Sequence, residues 1–212
     1  MSDNPLARLY LVAPAQPGLS RFPDVLARLL DSHDITCVRI AAGDAAEETI
    51  ARTADTLRPV CHERDVPLLL TDHFRLVTRL GLDGVHLSDG SRKVRAARKE
   101  LAKDAIVGAH SHASRHDGMT AGEIGADYVS FGPLTPSSLG DGTLAPLELF
   151  QWWSEMIEVP VVAEGGLTPE IAGDLARITD FICLGDELWS DPDGPEAAMQ
   201  RFADSLTARA AG

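Results

Sequence analysis

Eight short apolar runs recur along the chain at intervals of roughly 25 residues, at 9–13, 35–41, 67–71, 84–88, 106–111, 128–132, 160–164 and 181–185. Each has the length of a strand. Several are unbroken Val, Ile and Leu rather than alternating, the pattern of strands covered on both faces. The stretches between them read as helices. Ser20 is placed to cap a helix carrying Val25, Leu26, Leu29 and Leu30 on one face. Residues 45–62 supply a longer amphipathic stretch that Pro59 is expected to bend or interrupt. Thr168-Pro169-Glu170 sets a capping hydroxyl before a proline at the first helical position, and a final helix is expected over 195–208. Strands that alternate with helices pair in parallel, and eight such units are the number that closes a (β/α)8 TIM barrel. An open doubly wound sheet is the rival. No stretch has the composition of a linker, so residues 1–212 are expected to form a single domain.

The totals narrow the function classes. A formal net charge of -13 disfavours nucleic acid and anionic membrane as general partners, without excluding a small anionic ligand held locally. Cys37, Cys61 and Cys183 are odd in number and contain no CxxC pair, which argues against a disulfide framework or a zinc knuckle. The N-terminus lacks the basic and long apolar regions of a signal peptide, and no apolar run approaches a membrane span. A soluble, cytoplasmic protein is the expectation.

In a barrel, the residues that end each strand and begin the next loop gather at one mouth, whatever their separation in sequence. That rule selects 41–44, 71–73, 86–91, 110–112, 132–142, 164–167 and 185–189 as the functional candidates. A small-molecule ligand at this C-terminal mouth is the expected partner.

Several of these stretches resemble one known family. Leu68-Leu69-Leu70-Thr71-Asp72, followed by Asp83-Gly84-Val85-His86-Leu87, is similar to the third and fourth strands of the thiamine phosphate synthase and thiazole tautomerase family. Gly125-Ala126-Asp127-Tyr128-Val129-Ser130-Phe131-Gly132-Pro133 resembles its sixth strand. Pro160-Val161-Val162-Ala163-Glu164-Gly165-Gly166-Leu167 resembles its seventh strand and phosphate-binding turn. The resemblance runs in order from about Leu9 to Leu188. It implies an enzyme that joins hydroxymethylpyrimidine diphosphate to a thiazole phosphate, with magnesium, releasing pyrophosphate. It also implies phosphate binding at Ser137, Ser138, Gly165, Gly166 and Gly185, magnesium binding at Asp72, with Asp89 a substitute for the second carboxylate only if its loop shifts, and a homodimer.

Other positions depart from that pattern. Ala41 and Gly43 stand where the resemblance calls for the arginine and lysine that hold the diphosphate, and Arg39 falls at a different place along the strand. Ser91 matches the second magnesium aspartate, with Asp89 two residues away. The hydroxyls of 135–138 are kept, but no lysine follows them. Gly185-Asp186-Glu187 puts two carboxylates into a loop that grips phosphate in the family, and Glu164 adds a third, an arrangement of like charges that costs energy or forces protonation. These losses point away from diphosphate chemistry by the usual route.

Three functions therefore stay open: a synthase-like transferase with a diverged site, a non-catalytic barrel that binds a thiamine-related or phosphorylated ligand, and a tautomerase-like enzyme. His112 matches the histidine with which the tautomerase branch moves a proton, and histidine titrates in the range that such work needs. His110 and His112 alternate by two, and with His86, Asp72 and Glu164 at the same mouth they form a candidate metal site of imidazoles and carboxylates. Trp152 and Trp153 cannot share one helix face, so one is expected to lie exposed and mark a subunit contact.

Overall fold

A computed structural model describes residues 5–14, 17–137, 139 and 142–208. The eight strands are β1 Arg8–Ala13, β2 Ile35–Ile40, β3 Leu68–Thr71, β4 Gly84–Leu87, β5 Ile106–His110, β6 Tyr128–Phe131, β7 Val161–Glu164 and β8 Phe181–Leu184. They pair in parallel in chain order, and β8 returns to β1, giving one closed barrel. The helices are α1 Phe22–Ser32, α2 Glu47–His62, α3 Phe74–Leu80, α4 Val94–Glu100, α5 Arg115–Glu123, α6 Leu147–Met156, α7 Pro169–Leu175, the short α8 Asp186–Trp189 and α9 Pro195–Ala208.

Two apolar regions hold the barrel. The larger lies between the sheet and the helices and includes Leu11, Leu26, Val38, Leu57, Leu70, Val129, Phe150 and Trp153. The smaller fills the barrel's interior with Tyr10, Leu69, Tyr128, Val162 and Cys183. Every second residue of a strand points inward, and Gly108 is the inward residue of β5 at the level of Tyr128. A Cβ there would collide with the Tyr128 ring, so the glycine gives that ring its space.

The local details bear on expectation at three points. Ser20 does not cap α1; Arg21 holds the cap position without a side-chain hydrogen bond, and a proline in the first turn starts the helix instead. Pro59 lies inside α2 without ending it, because the helix continues to His62. Neither tryptophan of α6 stands bare. Trp153 is fully buried and its indole N–H donates to the Val159 carbonyl at 2.7 Å, while Trp152 is half-buried beneath the Arg115 guanidinium, 4.5 Å from its ring centre. The start of α7 is as expected, with the Thr168 hydroxyl accepting from the Ile171 amide at 3.3 Å. Among the described residues no helix is long and apolar enough to cross a membrane.

Candidate functional site

The ends of β1, β2, β7 and β8 border a cleft of about 260 Å³ at the barrel mouth. Its wall includes Val12, Ala41, Ser137, Gly165, Gly166 and Gly185, and its floor is reached by Arg39, Glu164 and Cys183. Gly165 and Gly166 take φ of 85° and 65°, a left-handed conformation that L side chains resist. A Cβ on Gly165 would come within 2.6 Å of Leu139 Cδ2, and one on Gly166 would strike Thr135, whose hydroxyl donates to the Gly166 carbonyl at 2.7 Å. The turn after β7 is therefore closely supported by the loop after β6. Ser137 reaches the cleft, with its hydroxyl accepting from the Leu139 amide at 3.2 Å. Ser138 lies outside the described residues.

Below the cleft, a layer of polar side chains crosses the barrel. Arg39 on β2 and Glu164 on β7 come from strands that are not neighbours, yet Arg39 Nη2 donates to Glu164 Oε2 at 2.8 Å with both side chains buried. Glu164 Oε1 accepts from the Ser130 hydroxyl at 2.6 Å and faces His110 Nδ1 at 2.9 Å and His86 Nε2 at 3.4 Å. His86 Nδ1 meets the Tyr128 hydroxyl at 2.9 Å, and that hydroxyl meets the Tyr10 hydroxyl at 2.9 Å. A hydrogen-bonded chain thus runs from the lower barrel to the mouth.

Charge in this layer follows from burial and partners. Burial pushes the His86 imidazole down, and the Arg39 charge lowers it further, to about 4, so the ring is neutral near pH 7. Burial pushes the Glu164 carboxyl up, but Arg39 and the imidazoles outweigh it and hold the group well below its ordinary value. Glu164 is therefore an ionised carboxylate already matched by a guanidinium. The expectation that it adds an uncompensated charge to the mouth is corrected: Arg39, which falls off the family position along the strand, faces inward and neutralises it. Arg39 Nε and Nη1 remain without hydrogen-bond partners, as does the buried Nε2 of His110.

The acidic loop after β8 has a specific role for one of its two carboxylates. Glu187 turns back and accepts the Gly185 amide at 2.9 Å and the Leu167 amide at 3.3 Å. An internal carboxylate thereby occupies backbone N–H groups of both the β7 and the β8 loops. Asp186 lines the same cleft.

The carboxylates expected to hold magnesium also have internal partners. Asp72, at φ 62°, accepts from the Ser88 amide at 2.8 Å and the Ser88 hydroxyl at 2.5 Å. Asp89 pairs with the Lys93 ammonium at 2.9 Å, leaving its Oδ1 buried and unpartnered. Asp89 first, and the charge of Asp72 as well, draw the Lys93 pKa upward. Asp89 is thus paired with an ammonium and Asp72 with Ser88, and the residues as placed do not fit a dedicated magnesium site. His112 sits just past β5 at φ 52°, its ring edge-on to His110 with centroids 4.6 Å apart. Of the five-residue metal cluster, His86, His110 and Glu164 converge, their ligand atoms all within 4.8 Å of one another. Asp72 turns instead to Ser88.

Arg39 and Ser130 are the members of the Glu164 layer that sequence reasoning did not assign, and Ser88, Lys93 and Tyr10 went unassigned around it. A usable signal was present for Arg39 and Ser130, because each interrupts an apolar strand at an inward position, and a charge there needs a partner across the barrel.

The family profile described as thiamine monophosphate synthase matches residues 9–185. A thiamine-phosphate synthase of Rhodospirillum centenum is 43% identical over 197 residues, covering 92% of this chain and 95% of its own. The thiamine-phosphate synthase of Erythrobacter litoralis is 36% identical over 207 residues, covering 95% and 96%. Among solved structures, the thiamine phosphate pyrophosphorylase of Pyrococcus furiosus superposes with a TM-score of 0.81 at 21% identity, over 95% of this chain and 96% of that one, a likeness of fold.

Proposed function

The chain belongs to the thiamine monophosphate synthase family, and from that membership we propose that it serves thiamine biosynthesis as a synthase-type transferase. In this reading it grips a thiazole phosphate at the mouth and handles the diphosphate partner weakly. The observation that carries the reading is the cleft itself. The glycine turn after β7 and Arg39 border one space of about 260 Å³, which offers backbone and a cationic side chain to a small anion. Two features support the weak diphosphate half. Ala41 and Gly43 bring no cation to the β2 loop, and the Lys93 ammonium already pairs with Asp89. Glu187 must leave its amides before a ligand phosphate can take them.

Calorimetry and turnover test this. Thiazole phosphate is expected to bind the purified protein, and adding hydroxymethylpyrimidine diphosphate with magnesium is expected to give thiamine phosphate slowly. Absence of binding by both thiazole phosphate and thiamine phosphate would refute the reading. Rapid synthesis that Asp72→Ala abolishes would show that the missing cations do not matter.

A second reading, proton transfer on a thiazole by His112, draws support from that residue's left-handed backbone and its contact with His110. Undiminished tautomerisation by His112→Ala would sink it.

A further inference from the structure

Two imidazoles and a carboxylate gather inside the barrel, with His86 and Glu164 held from behind by Tyr128 and Arg39, and we propose that His86, His110 and Glu164 form a binding site for a borderline transition-metal ion such as zinc, cobalt(II) or iron(II). The three come from β4, β5 and β7, so barrel closure alone assembles them. A metal at about 2.0–2.2 Å from two such donors, with tetrahedral or octahedral angles, requires the donors to stand roughly 2.8–3.6 Å apart. Glu164 Oε1 lies 2.9 Å from His110 Nδ1 and 3.4 Å from His86 Nε2.

Ligand type separates this site from a magnesium site. Neutral imidazole with one carboxylate suits zinc, cobalt and iron, whereas magnesium takes oxygen ligands. The bracing groups have the form that metal sites use to aim their ligands. Tyr128 holds His86 through Nδ1, which leaves Nε2 directed at Glu164, and Arg39 holds Oε2 of Glu164, which leaves Oε1 directed at the two rings. Glu164 also borders the cleft, so an open coordination position would face incoming water or ligand. The added positive charge beside Arg39 calls for an anion in the cleft. The site is distinct from Asp72 and Asp89, and it stands or falls independently of the thiamine reading.

The test uses the full-length protein stripped with a chelator and titrated with Co²⁺ in phosphate-free buffer at neutral pH. One equivalent is expected to bind with visible absorption bands and no thiolate charge-transfer band. Glu164→Gln and His110→Ala should abolish the bands. Tyr128→Phe should weaken binding by about 10–100-fold, and the exposed-helix variant His116→Ala should match the parent. Absence of saturable binding overturns the proposal, as do bands that persist in both ligand variants or vanish in His116→Ala. Should a ligand variant fail to fold, ¹⁵N spectra of the parent with Zn²⁺ decide. The imidazole nitrogens of His86 and His110 should shift while those of His62, His73 and His116 stay in place, and the reverse pattern refutes the site.

Discussion

Glu164 and Glu187 flank one cleft and carry the same charge, yet the chain holds them by different means. Glu164 lies beneath the floor, buried, gripped by a guanidinium from across the barrel and by a hydroxyl and an imidazole. Glu187 lies at the wall, gripped by two backbone amides. The first arrangement is closed, because removing either member strands a largely buried charge. The second is exchangeable, because any small anion can offer oxygen atoms to the same amides. The interior layer thus fixes the barrel, and the wall is where ligand and protein compete.

The largest effect is expected at Arg39. Replacing it with Met should cost about 3–5 kcal/mol in denaturant unfolding, as for other broken buried pairs, and pairing it with Glu164→Leu should recover most of that. A loss under about 1 kcal/mol would erase the distinction between floor and wall.

Acid should act on the same layer. The folded protein holds His86 at about 4, below the unfolded value of 6.5. The unfolded chain therefore takes up a proton that the folded chain refuses, and stability present above pH 6.5 is lost as pH falls toward 4. Glu164, held low, adds to this below its unfolded value of 4.5. Melting temperatures recorded with chelator present should be flat above pH 6.5 and fall below it, and His86→Gln should flatten the upper part of that fall. A melting temperature that rises on acidification would contradict both assignments.

At the wall, Glu187→Gln should cost about 1–2 kcal/mol of stability, the scale of hydrogen bonds to a charged acceptor, and raise affinity for inorganic phosphate or thiazole phosphate by roughly tenfold. Unchanged phosphate affinity in a folded variant would mean that the amides are not shared with the ligand. The smallest effect belongs to the rim. Lys93→Gln removes a partly exposed pair with Asp89, and its stability change should stay below about 1 kcal/mol, whereas Mg²⁺ should bind the variant more tightly.

The barrel was legible because each apolar run is long enough to be a strand and the helical stretches enforce parallel crossovers. Strand ends shifted inward by one residue at Ala41, Ser88, Ser111, Gly132 and Gly185, where polar or small residues enter the loops. Ser20 misled because a proline in the first turn of α1 starts the helix without a hydroxyl. The Arg39–Glu164 pair was not legible as a pair, since two residues so distant meet only once the sheet closes. The alternation that points both inward was on the strands throughout. The capture of amides by Glu187 depends on backbone torsions around Gly185 that no residue pattern encodes, so the loop read only as acidic.

The bridge across the barrel also bears on descent. A lineage cannot exchange Arg39 and Glu164 one at a time without passing through a form with a stranded charge, so each position restrains the other's drift. Among relatives the two should be kept together or replaced together by neutral residues. A protein that has crossed to one state is then held there by its own history, even after the ligand that favoured the crossing has gone.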